Sequence, residues 1–313
     1  MHGADRRGDA MRLIVLLSSY NGQEYISQQL DSLIRQTLLP DQILVRDDGS
    51  KDDTLKILKE YSEKYPFIQY YEGKNKGPAK SFYDLICHCE KADYYALCDQ
   101  DDVWFEDKLE TAVRMLEKED ASLPLLYCSK YTLTDKDLNP LDSNVSKLYG
   151  FTDFAHSLLY HTAPGCTFVF NHAARVKVME YDMEKRYCLI HDSIIHKVVA
   201  MFGKVILDKD PHMYYRQHGN NEIGMDANKF RVFMGRVDRF LNGKIRNYRS
   251  NTAASLLEVY GDQIGREQKE VLQIVAGYRS DASLKRKLLS QERFKSHTVN
   301  DLFFIILVLV NYI

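Results

Sequence analysis

Tyr94-Tyr95-Ala96-Leu97-Cys98-Asp99-Gln100-Asp101-Asp102 decides how this chain reads. An apolar run of strand length ends abruptly in a cluster of carboxylates. In open α/β sheets, ligands bind just outside the carboxyl ends of the strands. Clustered anions repel one another unless a cation or a ligand's donor groups hold them. The same pattern occurs once earlier, where Ile43-Leu44-Val45-Arg46 runs into Asp47-Asp48-Gly49-Ser50. Two acidic strand ends together point to a site for a nucleotide and a metal ion.

Outward from these two stretches, strands and helices alternate. Leu13-Ile14-Val15-Leu16-Leu17 reads as a buried strand, and residues 24–36 as a helix with Ile26, Leu30, Leu33 and Ile34 on one face. Ser50 is placed to cap the next helix, with Asp53 three residues on as in a capping box. Ile68-Gln69-Tyr70-Tyr71 reads as a third strand, and residues 81–89 as the helix after the Asn75-Lys76-Gly77-Pro78 turn. Strand and helix in this rhythm predict βαβ units, hence an α/β fold with a mostly parallel central sheet flanked by helices. Beyond Lys118 the rhythm loosens. Strands are expected at 125–128, 166–170, 205–207 and 213–215, a polar loop at 135–150 and a helix at 192–202. From residue 226 the pattern is helical, including an amphipathic stretch from Phe230 to Leu241. The expected division is an upstream extension at 1–10, a catalytic domain at 11–222 and a helical C-terminal region at 223–313.

Composition narrows the partners. The chain has 313 residues and a formal charge of −2, which gives no case for nucleic acid. Residues 226–297 nevertheless hold 15 Lys/Arg against 8 Asp/Glu. A basic tail on an acidic body suits an anionic neighbour such as a membrane surface. The apolar run 302–310 is too short to span a bilayer, which takes about 20 residues. It suits a core helix, a dimer contact or a peripheral membrane contact, and a homodimer is left open. Six scattered cysteines without paired CxxC motifs read as reduced thiols of a cytoplasmic protein.

The chemistry-bearing residues fall at element ends. Ser18, Tyr20 and Asn21 close the first strand beside Gly22, a hydroxyl and an aromatic face that suit a base and ribose. An ordinary helix-capping turn is the simpler alternative there. Asp48 can accept from a base imide or from ribose hydroxyls. Asp99 and Asp101 are the metal candidates, because a diphosphate leaving group needs its charge neutralised by Mg²⁺ or Mn²⁺. Asp192, in His191-Asp192, can act as a general base or merely cap a helix. Arg216 can fork onto phosphate, His218 can ligate metal, and Lys80 can reach phosphate or simply be solvated.

At this point the residues resemble family-2 glycosyltransferases. Ser18-x-Tyr20-Asn21-Gly22, Asp47-Asp48-Gly49-Ser50, Asp99-Gln100-Asp101-Asp102-x-Trp104, His191-Asp192 and Tyr215-Arg216-Gln217-His218 occur in that family's order, over about residues 11–224. Within it the chain is similar to bacterial rhamnosyltransferases that build rhamnan and O-antigen polysaccharides. The resemblance implies a GT-A fold and inversion by single displacement. It implies Ser18, Tyr20 and Asp48 as nucleoside contacts, Asp99 and Asp101 as the DxD pair with Asp101 on the metal, and Asp192 as the base. It also implies Gly165 near the sugar and His218 near metal and diphosphate. The donor so implied is dTDP-rhamnose, with a UDP-hexose or UDP-N-acetylhexosamine as the alternative. The acceptor is a saccharide, such as one linked to undecaprenyl diphosphate at the inner face of the cell membrane. A non-catalytic saccharide-binding scaffold is the alternative of another class. Two departures stand out: Ser193 where relatives carry Trp, and Cys166 where a second glycine is common.

Overall fold

The structure is a computed structural model that describes residues 11–145, 152–160, 163–218, 246–295 and 300–313. The extension 1–10, the boundary at 219–224 and the helix expected over 230–241 lie outside the described residues.

Four strands form a parallel half-sheet: β1 (Leu13–Ser19), β2 (Gln42–Asp47), β3 (Ile68–Glu72) and β4 (Tyr94–Asp99), in the order β3-β2-β1-β4. They are joined by α1 (Ile26–Ile34), α2 (Thr54–Lys64) and α3 (Pro78–His88). β1 is buried on both faces, as its unbroken apolar run requires. Leu13, Val15 and Leu17 pack with Ile26, Leu30 and Leu58 of α1 and α2, and with Leu109 and Val113 of α4 (Lys108–Leu116). Ile14 and Leu16 face the opposite layer, with Phe82, Leu85 and Ile86 of α3 and Ile194, Ile195 and Val198 of a later helix, His191–Phe202.

The second half of the sheet is mixed. After β5 (Val103–Trp104) come β6 (Leu125–Thr134), β7 (Pro140–Val145), β8 (Val169–Asn171) and β9 (Lys204–Arg216). β8 runs antiparallel to both β4 and β6, β9 runs parallel to β6, and β5 returns antiparallel onto β9. Parallel pairing thus covers the expected βαβ part, and the α/β architecture extends beyond it. Three local expectations are corrected. The strands expected at 205–207 and 213–215 are one strand, β9, because β6 is 10 residues long and offers continuous pairing past two register shifts. The loop expected at 135–150 contains β7. The strand expected at 166–170 begins as a 3₁₀ turn, Gly165–Thr167.

Among the described residues the remaining α-helices are α5 (Phe154–Leu159), α6 (His172–Met179), α7 (His191–Phe202), α8 (Tyr248–Tyr260), α9 (Arg266–Gly277), α10 (Ala282–Ser290) and α11 (Asn300–Leu309). Leu256, Leu272, Val275, Leu288, Leu307 and Val308 of the last four join the same core cluster as α3 and α7. Polar ties finish the corner: Ser250 Oγ and Tyr278 OH donate to the Ile313 carbonyl at 2.9 and 3.0 Å.

Candidate active site

Register builds the site. Ser18 lies opposite Arg46 of β2 on one side and Asp99 of β4 on the other. Both acidic strand ends therefore flank the end of β1, at the carboxyl edge where an open sheet binds ligands. The Gln100 side chain locks this edge. It accepts from the Tyr20 amide at 2.8 Å and donates to the Tyr20 carbonyl at 3.0 Å. Gly22 is needed there, since a Cβ on it would lie 2.1 Å from Gln100 Oε1. The Tyr20 ring stands 46% exposed, open to stacking. Asn21 adopts a left-handed φ of 47° and accepts from the Lys51 amide through its side chain.

At the first acidic end the carboxylates are saturated. Asp47 accepts from the amides of Gly49 and Ser50 and from the Ser19 and Ser50 hydroxyls. The capping box expected at Ser50 is not formed, because the Ser50 hydroxyl turns back onto Asp47, and α2 starts later, at Thr54, with no side-chain cap from Asp53. Asp48 accepts from the amides of Lys76 and Gly77 at 2.9 to 3.0 Å and pairs with buried Arg46. Ser18 Oγ meets Ser81 Oγ at 2.6 Å, and Arg46 donates to Ser81 at 3.0 Å. Lys80, on α3, pairs with Glu184 at 3.4 Å.

The second acidic end is crowded instead. Burial, and then the negative charges of Asp101 and Asp192, push the Asp99 carboxyl up to about 7. Burial and the charges of Asp101 and Asp99 also raise Asp102. Oδ1 of Asp102 accepts from the Arg216 amide at 3.1 Å. Its Oδ2 is buried, with no hydrogen-bond partner beyond the Cys166 thiol beside it. Asp101 Oδ2 meets His218 Nε2 at 2.7 Å. His218 stacks on Tyr25 at 4.7 Å, and Tyr25 lies under the Arg216 guanidinium at 4.6 Å.

That arrangement gives Arg216 another task than a phosphate fork. It is 2% exposed, and its guanidinium donates to the carbonyls of Asp101 and Lys136 and to the Gln28 side chain. It fixes the loop that presents Asp101 and His218.

Asp192 sits in the first turn of α7, 5% exposed, and its Oδ2 accepts from the Gly165 amide at 3.1 Å. A Cβ at Gly165 would lie 2.8 Å from His191 Nε2, so only glycine admits this approach. His191 is in turn fixed by stacking on Phe82 at 4.2 Å.

The donor atoms fit a divalent cation. Asp99, Asp102 and Cys166 offer ligand atoms within 4.8 Å of one another, and Asp101 and His218 form a second pair beside them. Carboxylates with one imidazole suit Mg²⁺ or Mn²⁺. Burial raises the Cys166 thiol, so it stays protonated.

Two buried lysines escaped the sequence. Lys108 is fully buried, donates to the Cys166 carbonyl at 2.5 Å and lies 3.5 Å from the centre of the Trp104 ring. It faces Asp99 and Asp102 as an internal cation, and burial brings it down to about 8. Lys197, one turn along α7 from Ser193, bonds the Ser193 hydroxyl, which Tyr248 OH also reaches from α8. Burial brings Lys197 down to about 7, with Asp192 opposing the shift. Nothing in the local sequence marks either lysine as buried, and only the tertiary fold reveals these two.

The chain belongs to glycosyl transferase family 2, whose profile matches residues 14–178. It is 31% identical over 223 residues to dTDP-rhamnosyl transferase RfbG of Shigella flexneri, covering 66% of this chain and 73% of that protein. Its fold is similar to that of S. aureus TarS residues 1–349 in complex with UDP-GlcNAc. The TM-score is 0.57 at 16% identity, over 95% of this chain and 81% of the other. A mannosyltransferase from Pyrobaculum calidifontis, solved with GDP-Man and Mn²⁺, gives a TM-score of 0.50 at 15% identity, over 96% and 86%.

Proposed function

We propose that the protein transfers L-rhamnose from dTDP-rhamnose, with inversion, to a hydroxyl of a saccharide acceptor in bacterial surface polysaccharide synthesis. The observation that carries the reading is that an exposed ring and two sets of close carboxylates share one sheet edge. Tyr20 offers a ring for the base, Asp101 and His218 lie beside Asp99, and Asp192 is near enough to Asp99 to raise it. The similarity to a dTDP-rhamnosyl transferase supports the donor.

Ser18, Tyr20 and Asn21 take the nucleoside, while Asp48 holds the wall behind it. Asp99, Asp101 and His218 would hold Mg²⁺ or Mn²⁺, which would supply positive charge against the diphosphate. Gly165, by lacking a Cβ, lets His191 and Asp192 pack against its turn, and its amide holds Asp192 in place. Asp192 takes the proton of the acceptor hydroxyl as its oxygen bonds to the anomeric carbon and the bond to the diphosphate oxygen breaks. Lys108 tempers the repulsion within the cluster from behind. Free cysteines suit work on the cytoplasmic side of the cell membrane, on a lipid-linked acceptor.

A thermal-shift screen of nucleotide sugars with Mn²⁺ tests the donor. Greater stabilisation by dTDP-rhamnose than by UDP-hexoses or UDP-N-acetylhexosamines is expected, and selective stabilisation by a UDP sugar overturns it. Anomeric NMR of the product tests inversion. Binding without turnover under any acceptor favours a scaffold.

A further inference from the structure

α11 carries two apolar stripes, and the fold uses only one. Phe304, Leu307 and Val308 turn inward and, with Tyr312 and Ile313, close the core cluster behind α7. Leu302, Ile305, Ile306, Leu309 and Val310 stand 38% to 65% exposed. Their spacing of i, i+3, i+4, i+7 and i+8 sets them in one band along the helix. Half of the ten large exposed hydrophobics among the described residues lie on this band. Single exposed side chains need no explanation, but a contiguous band marks a contact surface.

The neighbouring helix supplies the matching charge. α10 packs against α11 and carries Lys285 and exposed Arg286, neither with a carboxylate partner among the described residues. No described helix is long and apolar enough to cross a membrane. At 10 residues α11 is about 15 Å long, half the hydrocarbon thickness of a bilayer.

We infer that the outer band of α11 is a docking surface for an anionic lipid bilayer. The helix lies in the plane of the interface with Leu302, Ile306 and Leu309 among the acyl chains, and Lys285 and Arg286 face the headgroups. Amphipathic helices dock this way to a depth of about 5–10 Å. A second copy of the chain fits less well. A band on so short a helix cannot supply the roughly 800 Å² per partner that a stable dimer buries. A two-fold pairing would also bring the α10 cations of both copies toward each other. The inference goes beyond sugar transfer and is tested without it.

Deleting residues 301–313 is unsuitable as a test, because it also removes Phe304, Leu307, Val308 and Ile313 from the core. The test is flotation of the full chain with phosphatidylcholine vesicles containing about a third phosphatidylglycerol. The wild type is expected to float. Leu302→Gln/Ile306→Gln/Leu309→Gln is expected to lower the bound fraction about 10-fold or more at an unchanged unfolding midpoint. Lys285→Glu/Arg286→Glu, which leaves the band intact, is expected to weaken binding about 10-fold at low salt and less at high salt. A wild type that stays at the bottom overturns the inference, as does flotation of either variant equal to the wild type. Sedimentation showing a wild-type dimer that the triple variant splits assigns the band to a second copy instead.

Discussion

The two acidic strand ends are built from nearly the same letters and stand in opposite electrostatic conditions. At Asp47 and Asp48, four backbone amides, two hydroxyls and the Arg46 guanidinium satisfy the carboxylates from within. At Asp99 to Asp102, anions face one another, Asp99 is pushed up to about 7, and Oδ2 of Asp102 has only a thiol for company. The first end is complete as the chain folds. The second leaves its anions facing one another, a charge that a bound cation would offset. Position at a strand end therefore does not assign a role to a carboxylate; the donors around it do.

The largest expected effect breaks this comparison at its second end. Asp101→Asn should lower sugar transfer by on the order of 100-fold or more, through loss of charge stabilisation. Its unfolding midpoint should be unchanged or raised, because one of several repelling charges is gone. A variant that unfolds more easily would place Asp101 with the structural carboxylates. At the first end the outcome reverses. Asp48→Asn leaves buried Arg46 with only the longer contact to Asp84, at 3.4 Å, and should cost about 3 kcal/mol in urea unfolding. Intact stability with lost nucleotide binding would instead make Asp48 purely a nucleoside contact.

The sequence revealed the parallel strands because β1, β2 and β4 are largely apolar runs ending in Asp or Ser, with the aromatic β3 alternating beside them. It revealed the order of the motifs for the same reason. It did not reveal β9 as one strand, since Asp208-Lys209-Asp210-Pro211 reads as a turn until the long β6 pairs beside it. Nor did it reveal where hydrogen bonds go. The Ser50 hydroxyl chose Asp47 over its own helix, and Arg216 chose carbonyls of the loop it anchors. The largest gap concerns buried charge. Lys108 is buried by the 165–167 turn, Trp104 and Met213 of β9, and Lys197 by Tyr248 of α8, contacts that no local pattern foretells.

Lys197 sharpens the comparison at the base. Its folded value near 7 lies below its ordinary 10.5, so the folded chain releases this proton earlier than the unfolded chain. The unfolded chain then binds more protons between about pH 7 and 10, and this group adds stability as pH rises across that window. Wild type should gain in urea midpoint on Lys197→Met from pH 7 toward pH 10, and the difference should flatten below 7. A pH-independent difference would mean an ordinary, solvated lysine. The smallest effect is Tyr248→Phe. Loss of its bond to Ser193 should cost about 1 kcal/mol of stability and leave donor hydrolysis near wild type.

The central claim is that the Asp99–Asp102 end needs a cation and that the Asp47–Asp48 end does not. Calorimetric titration of the full chain with dTDP, with and without Mn²⁺, tests it most directly. The account predicts binding that requires Mn²⁺ in the wild type and is lost in Asp101→Asn. Equal binding without Mn²⁺, or binding unchanged in Asp101→Asn, would contradict it.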